Sequence, residues 1–228
     1  MDEPDIKRRL EVLEDPHAEF TTTAPPTWWL RPLLAYQRLV DGLNERLGEF
    51  TRYLVVAVVV IGFGNAVARY VGRFLGRQLT SNLWFEVQWY LFATIFLLGF
   101  GYAVKNEINV RVDFIYADRS PKTKAVIDSI GHLISMLPFS VMALWVLYRP
   151  TLTSWGAGPD GSFATWRVWE IWERSPDPQG LPRAPIKTML IVGFVLLLLQ
   201  GLAELVKLFM TLSGRGQKIG PAQPGRVE

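Results

Sequence analysis

Charged side chains at the ends of long apolar runs are the residues of this chain with the clearest capacity for chemistry. Arg69 ends one apolar run and Glu86 begins the next, with a short loop between them. Because a charge is costly next to hydrocarbon, an ion pair between the two would neutralise both and hold two helices together. The alternative is that each side chain reaches water independently. Asn65, one helical turn before Arg69, is predicted to hydrogen-bond across helices and help them pack.

Three further polar residues lie inside apolar runs. Glu204 and Lys207 are three residues apart, a spacing that predicts a local ion pair on one helix. A proton-relay role for Glu204 is the alternative, although no second acid lies near it in the sequence. His132 is interpreted as structural, because haem or metal ligation needs several ligands and the other histidine, His17, lies in a polar segment.

The composition excludes several classes of activity. The sequence contains no cysteine, so disulfides, thiolate metal sites and thiol catalysis are excluded. A net charge of +3, without a basic stripe interleaved with aromatic residues, argues against nucleic-acid binding. The sequence has no phosphate-binding loop, nucleophile motif or paired carboxylates. It therefore predicts a protein that is not an enzyme and that binds no cofactor or metal.

Long apolar runs must position these residues. Each run approaches or exceeds the roughly 20 residues that cross about 30 Å of hydrocarbon as a helix. Residues 55–61 and 190–199 are apolar on all sides, unlike an amphipathic helix of a soluble protein. We therefore predict an all-α integral membrane protein, with a transmembrane domain at residues 51–212. Its four transmembrane helices are expected at about residues 53–71, 85–104, 126–148 and 186–210.

Polar segments flank this domain. Residues 1–30 are interpreted as a polar arm and linker, and residues 213–228 as a disordered tail. Residues 31–50 carry apolar side chains at spacings of three and four, which predicts an amphipathic helix lying in the headgroup plane. A coiled-coil seam is the alternative for this segment. Lys and Arg near the spans are more numerous on the side that carries both termini, which favours cytoplasmic termini.

The connection between the third and fourth spans is long and rich in tryptophan. Trp166, Trp169 and Trp172 are spaced by three, which predicts a short interfacial segment with a ridge of indole rings. Most of the nine tryptophans lie outside the predicted spans or at their ends, as in the aromatic belts of membrane proteins. These side chains are expected to anchor the chain at the membrane surface.

An ordered set of short motifs supports a resemblance over about residues 50–210. The chain resembles the small permease (DctQ-type) membrane subunit of tripartite ATP-independent periplasmic (TRAP) transporters. The residues that carry the resemblance are Asn65, Arg69-Tyr70, Trp84-Phe85-Glu86, Leu98-Gly99, Tyr102-Ala103 and Val110-Arg111-Val112-Asp113. By this resemblance Arg111 and Asp113 join Asn65, Arg69 and Glu86 as structural or interface residues.

The resemblance implies partners and a role. It implies a heterodimer with a large permease subunit in the lipids of the bacterial cytoplasmic membrane, served by a periplasmic substrate-binding protein. The assembly would import organic acids by sodium symport, with the small subunit bracing the large one. Because the chain has no internal repeat, it is a poor candidate for a carrier by itself. Interfacial anchors that resist tilt suit a brace.

A stand-alone four-helix membrane protein, such as a small channel or a redox membrane anchor, is the alternative function. A channel needs polar side chains along a pore, and a redox anchor needs haem ligands. The predicted spans contain one histidine and few polar residues, which disfavours both.

Overall fold

The computed structural model describes residues 19–22, 28–106, 108 and 120–219. Arg111, Asp113 and His17 lie outside these residues, as do most of the predicted N-terminal arm and the last part of the predicted tail. The expectations for them stay predictions. The described elements, in chain order, are β1 (Glu19–Thr22), α1 (Arg31–Leu75), α2 (Asn82–Lys105), α3 (Pro121–Gly131), a π-helical turn (His132–Met136), α4 (Leu137–Ser154), α5 (Val168–Ile171), α6 (Arg183–Leu212) and β2 (Gly216–Ile219).

Helices of membrane-crossing length dominate the fold and confirm the predicted class. By length and composition, four helices in the described part of the chain are able to cross a membrane. The shortest has 24 residues, which at 1.5 Å per residue gives about 36 Å and exceeds the hydrocarbon thickness. The four are Arg31–Leu75, Asn82–Lys105, Lys122–Ser154 and Arg183–Leu212.

The first helix differs from its prediction. The expected surface helix at 31–50 and the first span at 53–71 are one continuous helix, α1, of 45 residues. No proline or glycine lies between residues 49 and 61, so nothing there interrupts the hydrogen-bond ladder. At 1.5 Å per residue α1 is about 67 Å long, more than twice the hydrocarbon thickness. Part of it must therefore lie outside the hydrocarbon, in agreement with its amphipathic first half.

A π-helical turn precedes the proline of the third span. The backbone N–H of Leu137 donates to the carbonyl of His132, five residues earlier, and Pro138 follows at once. Because proline has no N–H and its ring crowds the carbonyl four residues before it, the ladder shifts in the preceding turn. The irregularity of this span thus lies in the turn before the proline. Upstream, Ser120 caps α3 by accepting a hydrogen bond from the Thr123 N–H.

The end of the chain is more ordered than predicted up to residue 219. Residues 216–219 form β2, which pairs antiparallel with β1 and aligns Glu19 with Ile219. The sequence predicted an irregular tail from residue 213. The partner strand lies nearly 200 residues earlier, so no local pattern in the tail indicates the pairing.

The chain divides into two compact units. The first comprises residues 1–42, 103–137 and 199–228, and its buried apolar cluster is Leu30, Leu34 and Met210. The second comprises residues 43–102 and 138–198. In the second, side chains of α1 and α2 pack directly on glycines of the other helix. A Cβ atom on Gly48 would lie 2.2 Å from the Tyr102 ring. A Cβ atom on Gly101 would likewise lie 2.1 Å from the Asn44 side chain.

Candidate functional site

Glu86, at the start of α2, is bound to the long connection before α6. Its carboxylate accepts hydrogen bonds from the Ser175 hydroxyl and from the backbone N–H of Leu181. The Arg183 guanidinium donates to the same hydroxyl at 3.5 Å. A nearby tyrosine on α2, Tyr90, donates to the Pro182 carbonyl at 3.1 Å. The beginning of α2 is therefore held to residues 175–183 by polar contacts.

The predicted ion pair between Arg69 and Glu86 is wrong. Both are among the described residues, and they form no ion pair there. The Arg69 guanidinium instead lies over the Phe85 ring, 4.5 Å from its centroid, in a cation–π contact. The carboxylate of Glu86 is occupied by donors that lie about 90 residues later in the chain. The sequence of the short loop between the first two spans does not indicate those donors.

A second carboxylate, Glu173, completes what we call the connection network: Glu86, Ser154, Glu173, Ser175 and Lys187. Glu173 forms an ion pair with Lys187 and accepts a hydrogen bond of 2.6 Å from the Ser154 hydroxyl. The hydrogen bond from Lys187, and then that from Ser154, lower the pKa of Glu173 below its usual value. The network keeps Glu173 ionised and ties the end of α4 to the first turns of α6.

The tryptophans of this connection form two pairs and no single ridge. Trp166 and Trp169 pack edge to face, with centroids 5.4 Å apart. Trp172 packs against Trp155, whose indole N–H donates to Thr188 at 2.8 Å. The expected helical ridge is interrupted because α5 has only four residues and ends before Trp172. Trp166 is 76% exposed and is available to a membrane surface or a partner.

A buried triad, Asp41, Glu204 and Lys207, lies in the other unit. The Lys207 ammonium lies 2.7 Å from Glu204 and 2.9 Å from Asp41, which confirms the predicted Glu204–Lys207 pair. Gln200 donates to the Asp41 carboxylate at 2.9 Å. Sequence reasoning missed Asp41, because it lies on the amphipathic part of α1 that was expected at the membrane surface. The sequence does contain a signal for a buried polar cluster. It is the spacing of four and three between the polar residues Gln200, Glu204 and Lys207 in an otherwise apolar helix.

Asn65 makes no hydrogen bond across helices among the described residues, contrary to its prediction. It is 7% exposed, and its side-chain oxygen has no hydrogen-bond partner there. It lines a cavity of about 400 Å³ together with Arg69, Phe85 and Gln88. His132, the other isolated polar residue, places Nδ1 2.8 Å from the Asp128 carbonyl one turn earlier. This local contact accords with the structural interpretation of the histidine.

The fold and these networks define a multi-pass helical membrane protein whose polar side chains join its helices. The family described as "Tripartite ATP-independent periplasmic transporters, DctQ component" matches residues 58–211, and the chain belongs to that family. It is a small permease subunit of a TRAP transporter, a component of a tripartite assembly with a large permease and a binding protein. No curated protein and no solved structure gives a significant match.

Proposed function

We propose that this subunit braces the large permease of a sodium-driven importer of organic acids. The importer lies in the bacterial cytoplasmic membrane and depends on a periplasmic binding protein. Both termini of this chain lie in the cytoplasm. The sodium coupling, the substrate class and the bracing role follow from the family resemblance. The distribution of Lys and Arg supports the orientation.

One observation supports the bracing role above the others: polar contacts join the helices to one another, whereas apolar side chains cover their exposed flanks. The connection network ties the start of α2 to the residues before α6. Along the flanks, Val56, Phe92 and Trp145 are 62%, 65% and 79% exposed. Such surfaces suit lipid tails or the apolar helices of another membrane protein.

The helices offer little that a carrier needs. Carriers bind substrate and ions where membrane helices are broken, at half-helix ends near the middle of the bilayer. The four membrane-length helices described here run without a break, apart from the π-helical turn at His132–Met136. A rigid frame that holds the moving part of a larger subunit in place is the role that such helices support.

Reconstitution tests this proposal. The large permease and the binding protein are placed in liposomes under a sodium gradient, with and without this chain, and uptake of labelled organic acids is measured. We expect uptake only when the chain is present. A matched liposome set without a sodium gradient controls for the coupling ion. Equal uptake without the chain would exclude an obligatory brace, and uptake without the gradient would exclude sodium coupling.

A further inference from the structure

A basic cleft lies where α1 ends and the chain turns into α2. It has a volume of about 560 Å³ and continues at Arg69, Arg73 and Phe85 into the 400 Å³ cavity beneath it. Arg77 completes a set of three arginines on the cleft, and none of the described residues that line either space is acidic. Within the described part of the chain, the cleft therefore presents three positive charges without a carboxylate to neutralise them.

The backbone at the end of α1 brings the third arginine over the cleft. Gly76 has a positive φ of 61°, a conformation that costs glycine little. The N–H of Arg77 donates to the Gly72 carbonyl at 2.9 Å, and the N–H of Gly76 to the Arg73 carbonyl at 3.4 Å. These two bonds form a Schellman motif, which turns the chain back at the helix end. Arg73 and Arg77 have no ion-pair or hydrogen-bond partner for their side chains in the described part of the chain.

Beneath the arginines, two buried amide groups lack partners among the described residues. The side-chain oxygen of Asn65 and the side-chain nitrogen of Gln88 are both fully buried and make no hydrogen bond within that part of the chain. Both residues line the lower cavity. Asn65 lies one helical turn before Arg69. A buried polar atom without a partner is costly, so these amides indicate a missing ligand with polar groups of its own. The Asn65 amide presents either its oxygen or its nitrogen after a half rotation.

We propose that this cleft binds an anionic phospholipid, with its phosphodiester between the arginines. Arginine matches phosphate geometry and forms strong charge-assisted hydrogen bonds with it. The arginines follow directly after the apolar run of α1, which is where lipid phosphates are expected. Tyr70 and Phe74 are exposed beside them, as is typical of aromatic residues at a membrane interface. The glycerol esters of a phospholipid lie directly below its phosphate. One helical turn is about 5.4 Å, which places the amides of Asn65 and Gln88 at ester depth.

Titration of the purified full chain with phosphatidylglycerol, followed by native mass spectrometry, tests this assignment. We expect the R73Q/R77Q variant to lose at least about tenfold in affinity, since two charge-assisted contacts disappear. The matched control is R38Q/R52Q, which removes two exposed arginines of α1 outside the cleft and should change affinity by less than about twofold. An equal loss in the control would overturn the site, because it would show general attraction to negative charge.

The amides separate a lipid from a small anion. Replacing Asn65 with leucine, of similar shape, should weaken phosphatidylglycerol binding severalfold. The melting temperature of the N65L variant without lipid should not fall below that of the unchanged chain, because the substitution removes a buried amide that has no partner. Inorganic phosphate should bind weakly and equally to N65L and to the unchanged chain. Displacement of phosphatidylglycerol by equimolar inorganic phosphate would overturn the lipid assignment. Binding of phosphatidylcholine with the same affinity as phosphatidylglycerol would overturn the preference for an anionic lipid.

A last arm tests the assembled transporter. In the complex with the large permease, the unchanged chain should retain bound phosphatidylglycerol, and the R73Q/R77Q variant should lose it. Loss of the lipid from the unchanged chain on assembly would mean that a side chain of the large subunit fills the cleft, and it would overturn the proposal.

Discussion

The connection network and the buried triad both include a lysine of α6. Lys187 lies in the first turns of that helix and Lys207 in its last turns. The two networks differ in how far their charges are exposed to water. Glu173 and Lys187 are 40% and 31% exposed and pair at the end of an irregular connection. Glu204 and Lys207 are each 2% exposed and meet Asp41 on helix faces. An exposed ion pair stabilises little because water screens it. A buried one depends on every partner, because an unpaired buried charge is costly. The two networks should therefore fail in different ways.

Loss of Lys207 should have the largest effect. Lys207→Met leaves the buried Glu204 and the 15% exposed Asp41 without their cation. Removing one partner of a buried ion pair typically costs about 3–5 kcal/mol. We expect a large fall in the melting temperature of the protein in detergent. Lys122→Met, which removes an exposed lysine of a membrane-length helix, is the matched control. A melting temperature equal to that of the control would show that the triad does not stabilise the fold.

Removing all three charges of the triad refines that test. The triple variant Lys207→Met, Asp41→Asn, Glu204→Gln leaves no unpaired charge, and polar groups of similar size keep the packing. It should be more stable than Lys207→Met alone, because replacing a whole buried ion pair is far less costly than breaking it. If the triple variant were the least stable, hydrogen bonding and not charge would be the main contribution of the triad.

Changes at Glu86 should have an intermediate effect. Glu86→Leu leaves the Leu181 N–H and the Ser175 hydroxyl without their acceptor, at a typical cost of about 1–3 kcal/mol. In a double-mutant cycle, Glu86→Leu and Ser175→Ala should be non-additive, because the two side chains are in contact. Glu86→Leu and Arg69→Leu should be additive. Coupling between Glu86 and Arg69, measured from unfolding in detergent, would restore the ion-pair interpretation.

These contacts also mark what the sequence predicts and what it does not. The four membrane-length helices follow from the length of apolar runs, which is a local property. The Glu204–Lys207 pair was predicted because its partners are three residues apart on one helix. The partners of Glu86 and Lys207 lie 89 and 166 residues away along the chain. No single segment contains that information, so the nearest opposite charge, Arg69, was assigned to Glu86 wrongly.

Acid should weaken the connection network by a smaller amount. Because the folded-state pKa of Glu173 is lowered, its ionised form stabilises the protein above the usual glutamate pKa. That stabilisation is lost as the pH falls through the lowered pKa. The melting temperature of the unchanged chain should exceed that of Glu173→Gln at pH 7, and the difference should shrink below about pH 4.5. A difference that grows in acid would mean that the protonated form is the favoured one.

Removing the exposed tryptophan pair should have the smallest effect on stability, and its main effect should be on binding of a partner. Trp166 is 76% exposed, so Trp166→Ala together with Trp169→Ala removes little buried area and should leave the melting temperature nearly unchanged. If the connection between α4 and α6 contacts the binding protein, the double variant should need more binding protein to reach half-maximal uptake in liposomes. Trp145→Ala is the control, because Trp145 is 79% exposed on the flank of α4 and away from this connection. Equal dependence on binding protein in both variants would show that the indoles anchor the connection to lipid and that the binding protein docks elsewhere.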